Sequence, residues 1–133
     1  MIDLRTVLAV SIGSAIGGSC RYLVGTWFVQ RFGPGFPFGT LFINVSGSLL
    51  IGFIAELAQT RALGITPFVR VALATGLIGG YTTFSSYIFE AVTLDGEGRR
   101  WIALLYALGS IVLGIAALLA GTIAARLLTR VAT

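Results

Sequence analysis

The chain has 133 residues, 56% of them hydrophobic and only 11% charged: nine Arg, no Lys and five acidic residues. That is too little charge to coat a 14.0 kDa soluble globule, and the mean hydropathy of +0.97 agrees, so a lipid bilayer is the expected solvent. With no His and one Cys, Cys20, the sequence excludes a His-ligated metal centre, a Ser-His-Asp triad, a histidine general base and an intramolecular disulfide.

The first predicted element is a membrane span over residues 4–29, interrupted by Arg21 near its end, where a long side chain can snorkel to the interface. A cleaved signal peptide is the alternative for this segment, but hydrophobicity continues through Tyr22, Leu23, Val24, Trp27 and Phe28, as in a retained helix. Gly33, Pro34, Gly35 and Pro37 break the chain before a second span at 36–58, which shares most of a 24-residue uncharged run from Phe32 to Ala55. Gly64 and Pro67 precede a third span at 69–92, with 19 uncharged residues from Val71 to Phe89. Asp95, Gly96, Glu97 and Gly98 form the last connection, before a fourth span at 101–127 that contains 25 uncharged residues from Trp101 to Ala125. Tyr22, Trp27 and Trp101 suit interfacial belts. No repeat or linker argues for a second domain, so residues 1–133 read as a single all-α transmembrane domain of four helices.

The pI of about 10 is not a nucleic-acid footprint, because the Arg residues stand singly or as the one pair Arg99 and Arg100. Positive-inside counting barely orients the bundle. Arg5, Arg61, Arg70, Arg126 and Arg130 lie on the side of the termini, and Arg31, Arg99 and Arg100 lie opposite, joined by Arg21 if that residue is counted. Either the topology is fixed in a way the count does not resolve, or the protein inserts both ways and pairs as an antiparallel dimer. Oligomerisation is expected on size alone. Gly13 and Gly17, Ser14 and Gly18, and Ser110 and Gly114 offer small residues four apart as helix-packing faces.

Chemistry in such a bundle must lie inside it, and the third span is the most unusual. Gly79 and Gly80, each worth about 1 kcal/mol of lost helix propensity against Ala, precede Thr82, Thr83, Ser85 and Ser86. A helix break there would free backbone carbonyls that bind cations; the alternative is a Gly-rich packing helix with hydroxyls bonded to their own turn. On the second span Thr40, Asn44 and Ser48 share a face, as do Tyr106 and Ser110 on the fourth. These uncharged donors can replace water around an anion, although Asn44 can equally serve as interhelical glue. Phe84 and Tyr87 could turn positive ring edges inward, or simply pack.

The run Gly79-Gly80-Tyr81-Thr82-Thr83-Phe84-Ser85-Ser86-Tyr87, with Gly39-Thr40-Leu41 and Asn44 upstream and Tyr106 and Ser110 downstream, resembles the Fluc fluoride channels, also called CrcB proteins. The resemblance covers nearly the whole chain. It implies an antiparallel, dual-topology homodimer in the bacterial inner membrane, with a broken third helix in each subunit and two pores that passively export fluoride and so lower its cytoplasmic concentration. By matching position, Asn44 would line the pore, Phe84 and Tyr87 would supply aromatic edges, and Ser85, Ser86 and Ser110 would join the polar track, flanked by Tyr106 and Thr40. The backbone carbonyls of Gly79 and Thr82 from both subunits would hold a structural Na+ at the dimer axis. Arg21 would help set a positive vestibule, and Glu90 falls where the family has an acidic residue. The chain departs from the pattern at Tyr87, usually Phe, whose hydroxyl is free to bond fluoride or a neighbour, and at Ile88 and Phe89, where relatives commonly have small or polar residues.

Other classes fit less well. A small proton-coupled multidrug exporter needs a membrane-embedded carboxylate, and the first span has none after Asp3, while Glu56 and Glu90 end their spans. An enzyme would need a nucleophile with a base or a metal cluster, and neither is visible. A non-conducting membrane partner subunit is separated from a channel by whether the purified protein alone moves an ion.

Overall fold

A computed structural model describes residues 3–60 and 64–131; Arg61, counted above on the side of the termini, lies outside them. The described residues are mostly helical, with no strand among them. Helix α1 (Leu4–Phe32) starts at Asp3, whose carboxylate accepts from the Arg5 amide and the Thr6 hydroxyl, and ends where Gly33 takes φ 77° and donates its N–H to the Val29 carbonyl. The two hydrogen bonds hold the Asp3 carboxyl below its usual pKa range. Helix α2 spans Phe38–Thr60. Helix α3 (Pro67–Val71) is capped by the Thr66 hydroxyl on the Val69 amide, and continues through a wider π-type stretch at Ala72–Ile78 into α4 (Gly79–Tyr81). Helix α5 covers Phe84–Gly96 and α6 covers Arg100–Val131.

Among the described residues, three helices are long and apolar enough to cross a membrane: Leu4–Phe32, Phe38–Thr60 and the Arg100–Arg130 stretch of α6. They carry large exposed apolar side chains, such as Leu8, Ile12 and Ile16 on α1 and Leu105, Leu108 and Leu119 on α6, which is the surface of a chain solvated by lipid. The segment expected as the third span is instead several short helical pieces. Its interruption lies at Thr82 and Thr83, which are extended (φ −79°, ψ 158° and φ −149°, ψ 119°), and not at Gly79 and Gly80, which remain helical.

Packing explains why Gly80 stays helical. A Cβ on Gly80 would stand 2.6 Å from the Ser14 carbonyl oxygen, and one on Gly17 would run into the Leu77 carbonyl, so the missing side chains let the π-type stretch and α4 lie directly on α1. Ser14 adds a hydroxyl bond to the Gly76 carbonyl at 3.3 Å. The face of Gly13, Ser14 and Gly17 is thus a packing seam, whereas Gly18 meets nothing closer than the Arg21 side chain. Helices α2 and α6 form the other long seam, where Gly52 meets the Leu118 backbone and Gly121 meets that of Leu49. Ser48 and Gly114 also face each other there. At its far end Arg126 bonds Glu56 through Nε and Nη2 at 2.9 and 3.3 Å.

Candidate functional site

The interruption at Thr82 and Thr83 is held from a different helix. Asn44, on α2, donates Nδ2–H to the Thr83 carbonyl and accepts the Thr83 N–H on Oδ1, both at 2.9 Å. Thr83 is 8% exposed, so its peptide groups could not turn to water if this side chain were absent. Thr83 also caps α5: its hydroxyl oxygen accepts from the Ser86 amide at 3.2 Å and its hydroxyl donates to Ser86 Oγ at 3.0 Å. Gly47, one turn beyond Asn44, makes room for the Thr82 methyl, which a Cβ at that position would overlap.

This clamp has a consequence for carbonyl groups. A continuous helix would bring the Thr83 amide to the Gly79 carbonyl and the Ser86 amide to that of Thr82. Both amides are instead taken, by Asn44 Oδ1 and by Thr83 Oγ1. Gly79 lies exposed on the surface of the chain and Thr82 is half-buried.

Beside the clamp runs an open groove of about 410 Å³ between α2, α5 and α6. Asn44, Ser48, Thr82, Thr83, Phe84 and Ser110 give it a polar and aromatic side, and Ile51, Ile111, Ile115 and Leu118 an apolar one. Ser48 and Ser110 donate to the carbonyls of Asn44 and Tyr106, four residues back, at 2.7 and 2.6 Å. Phe84 is 75% exposed, and its ring lies 5.7 Å from that of the buried Tyr87. The Tyr87 hydroxyl donates to the carbonyl of Ala107, which does not line the groove, at 2.7 Å. Of the two options left open by the sequence, it therefore bonds a neighbour.

From Phe84 the rings continue through Tyr87 to Tyr106, 5.4 Å further, and from Tyr106 edge-on to Phe36 at 5.5 Å. This ladder ends at a second polar cluster. Glu90, on α5, accepts the Thr40 hydroxyl on Oε1 and the Tyr106 hydroxyl on Oε2, each at 2.7 Å. Thr40 and Glu90 line a separate cavity of about 270 Å³ at one end of the bundle, together with Phe89, Thr93, Glu97 and Arg99.

The residues singled out from the sequence thus fall into groups. Asn44, Phe84, Tyr87 and Ser110 line the groove, and Ser86 belongs to the Thr83 cap. Thr40, Tyr106 and Glu90 form the cluster at the other end of the aromatic ladder. Ser85 is exposed, with its hydroxyl 3.5 Å from that of Thr83. Arg21 is half-buried on α1 and lines neither cavity. Ile88 and Phe89 are exposed. Sequence reasoning missed the central part of Thr83, although a Thr opening a run of helix-forming residues is an N-cap signal, and it missed the role of Gly47.

The family model described as "CrcB-like protein, Camphor Resistance (CrcB)" matches residues 8–122. A protein of Rhizobium meliloti (strain 1021) named "Fluoride-specific ion channel FluC" is 47% identical over 118 residues, 89% of this chain and 94% of its own length. Proteins of the same name from Roseiflexus sp. (strain RS-1) and Trichormus variabilis (strain ATCC 29413 / PCC 7937) are 47% and 44% identical, covering 92% and 93% of this chain and 98% and 90% of their own. A helical, multi-pass membrane chain with this match over most of its length belongs to the CrcB-like family.

Proposed function

We propose that the chain is a fluoride-selective channel, not an enzyme, which lets fluoride leave the cytoplasm passively through the bacterial inner membrane. The observation that carries this reading is the donor-lined groove beside the Asn44–Thr83 clamp, in a chain whose relatives are named fluoride-specific channels. Fluoride is small and strongly hydrated, so it crosses only where many donors replace its water, and the absence of a fixed charge among the described residues that line the groove favours release as well as binding. The groove, the Tyr87–Tyr106 ring ladder and the Glu90 cluster are the path we assign, with Asn44, Ser110, Ser85 and Ser86 as donors and Phe84 as the aromatic edge. Arg21 would contribute positive potential from α1.

The four-span topology belongs to the same reading. The pieces from Pro67 to Tyr81 number five, seven and three residues and α5 has thirteen, which end to end give roughly 40 Å against a hydrocarbon core of roughly 30 Å. An interrupted third span is supported by the clamp, since irregular backbone at membrane depth requires partners within the protein. A dual-topology antiparallel homodimer is supported by the even Arg distribution and by a groove that one chain leaves open along its length. Na+ fits the Gly79 and Thr82 carbonyls, because both have lost their helical donors and a hard cation takes oxygen ligands. When bound it would supply positive charge that ties two such interruptions together. The exporter reading is not favoured, because the Glu56 carboxylate is paired with Arg126 and that of Glu90 is held by two hydroxyls.

The test is passive efflux from liposomes holding the purified protein, read with a fluoride electrode, with chloride as control. Rapid efflux of fluoride and not chloride, lost in Phe84→Ile, is the expected result. Absence of efflux from folded, dimeric protein would overturn the proposal.

A further inference from the structure

The cavity beyond Glu90 has an electrostatic problem for an anion path. Among the described residues, two carboxylates line it, Glu90 and Glu97, and one basic side chain, Arg99. Arg100, its neighbour in sequence, turns away and bonds Asp95 through Nε at 3.1 Å.

The backbone fixes where Arg99 stands. Helix α5 ends in a two-bond C-terminal motif: the Gly98 amide donates to the Asp95 carbonyl at 2.9 Å and the Arg99 amide to that of Leu94 at 3.0 Å. Gly98 takes φ 77°, a conformation that side-chain-bearing residues rarely adopt. Leu94 is buried at 5% exposure, so the motif is anchored in the core. The Arg99 carbonyl then accepts the Ala103 amide, which makes Arg99 the residue from which α6 starts. One residue is therefore held by both helices, over the cavity.

The guanidinium is not consumed there. Its Nη1 lies 3.5 Å from Glu97 Oε2, a long contact between side chains 34% and 55% exposed, and such pairs bind weakly in water. Its other N–H groups remain available to an anion.

We infer that Arg99 is a positioning residue for anion approach: locked at the mouth by the α5–α6 turn, it offsets the Glu90 and Glu97 carboxylates and raises the local concentration of fluoride. This rests on the channel reading above. Without Arg99 the mouth presents two carboxylates and no cation, and a field of that sign repels the permeant ion.

The experiment measures fluoride efflux from proteoliposomes for wild type, Arg99→Gln, Arg99→Lys and Glu97→Gln, across ionic strengths set with an impermeant salt. At about 10 mM, where charges act over about 30 Å, Arg99→Gln is expected to be slower by roughly threefold to tenfold, and near 1 M, where they act over about 3 Å, to match wild type. Arg99→Lys keeps the charge and the rate, and Glu97→Gln is faster than wild type at low salt. A wild-type rate for Arg99→Gln at low salt, or a deficit that persists unchanged at high salt, would overturn the inference while leaving the channel reading intact. A wild-type protein that moves no fluoride would sink the channel reading itself.

Discussion

Replacing Asn44 by Ala removes both arms of the clamp and leaves the Thr83 amide and carbonyl without the partner that each meets at 2.9 Å. Interhelical side-chain hydrogen bonds in membranes average about 0.6 kcal/mol and reach about 1.7, so two contribute about 1 to 3 kcal/mol. Stranding a buried donor adds about 1 to 3 kcal/mol, and Thr83 is only 8% exposed. A total of about 2 to 6 kcal/mol, at about 1.4 per tenfold, lowers the weight of the clamped conformation by between one and four orders of magnitude. Fluoride efflux in liposomes is expected to fall by at least about tenfold, and the melting temperature in detergent by at least about 5 °C. Asn44→Asp separates the two arms. It keeps an acceptor for the Thr83 N–H but sets a carboxylate oxygen against the Thr83 carbonyl, so it should melt between wild type and Asn44→Ala and still lose efflux. An Asn44→Ala protein that melts with wild type and conducts within about twofold of it would refute the reasoning, because the clamp would then contribute less than a single ordinary hydrogen bond.

Tyr87→Phe removes only the hydroxyl bond to Ala107 and keeps the ring beside Phe84; efflux should persist, with a loss of about 1 kcal/mol in denaturant or thermal unfolding. Gly17→Leu places a side chain into the Leu77 carbonyl, and should abolish extraction of folded protein, read by size-exclusion chromatography. Exchange of Na+ for N-methylglucamine during purification should lower the melting temperature and favour the monomer, and re-addition of Na+ should reverse both; an unchanged dimer would remove the ion from the Gly79 and Thr82 carbonyls.

The long uncharged runs made α2 and α6 legible, and hydrophobicity continuing past Arg21 did the same for α1, because an apolar stretch of that length has few stable homes outside a bilayer. Gly33 marked the end of α1 for a local reason, its positive φ. The interruption was harder to place. Propensity pointed to Gly79 and Gly80, but a glycine's cost in a helix is small beside the close approach to Ser14 that it permits, and packing decided. The actual site at Thr83 depends on Asn44, 39 residues away, which no local pattern connects to it. The same holds for Thr40 and Glu90, 50 apart. The pattern of donors was readable along each helix; their pairing was not, because it is made by the tertiary fold.

The hydroxyls of the groove and its neighbourhood have already placed their protons. Ser48, Ser110 and Tyr87 give theirs to backbone carbonyls, Thr82 to that of Ile78, Thr83 to Ser86, and Thr40 and Tyr106 to Glu90. A hydroxyl has only one proton to donate. An anion that meets these hydroxyls is therefore a competitor in an exchange reaction, and gains each of them only by displacing an oxygen that the fold has put in place. The net gain per donor is small, which keeps the ion moving. A poorer acceptor such as chloride loses the exchange before width is tested. On the path proposed above, selectivity would be a contest between the ion and the protein's own carbonyls, set by how strongly an anion accepts a hydrogen bond.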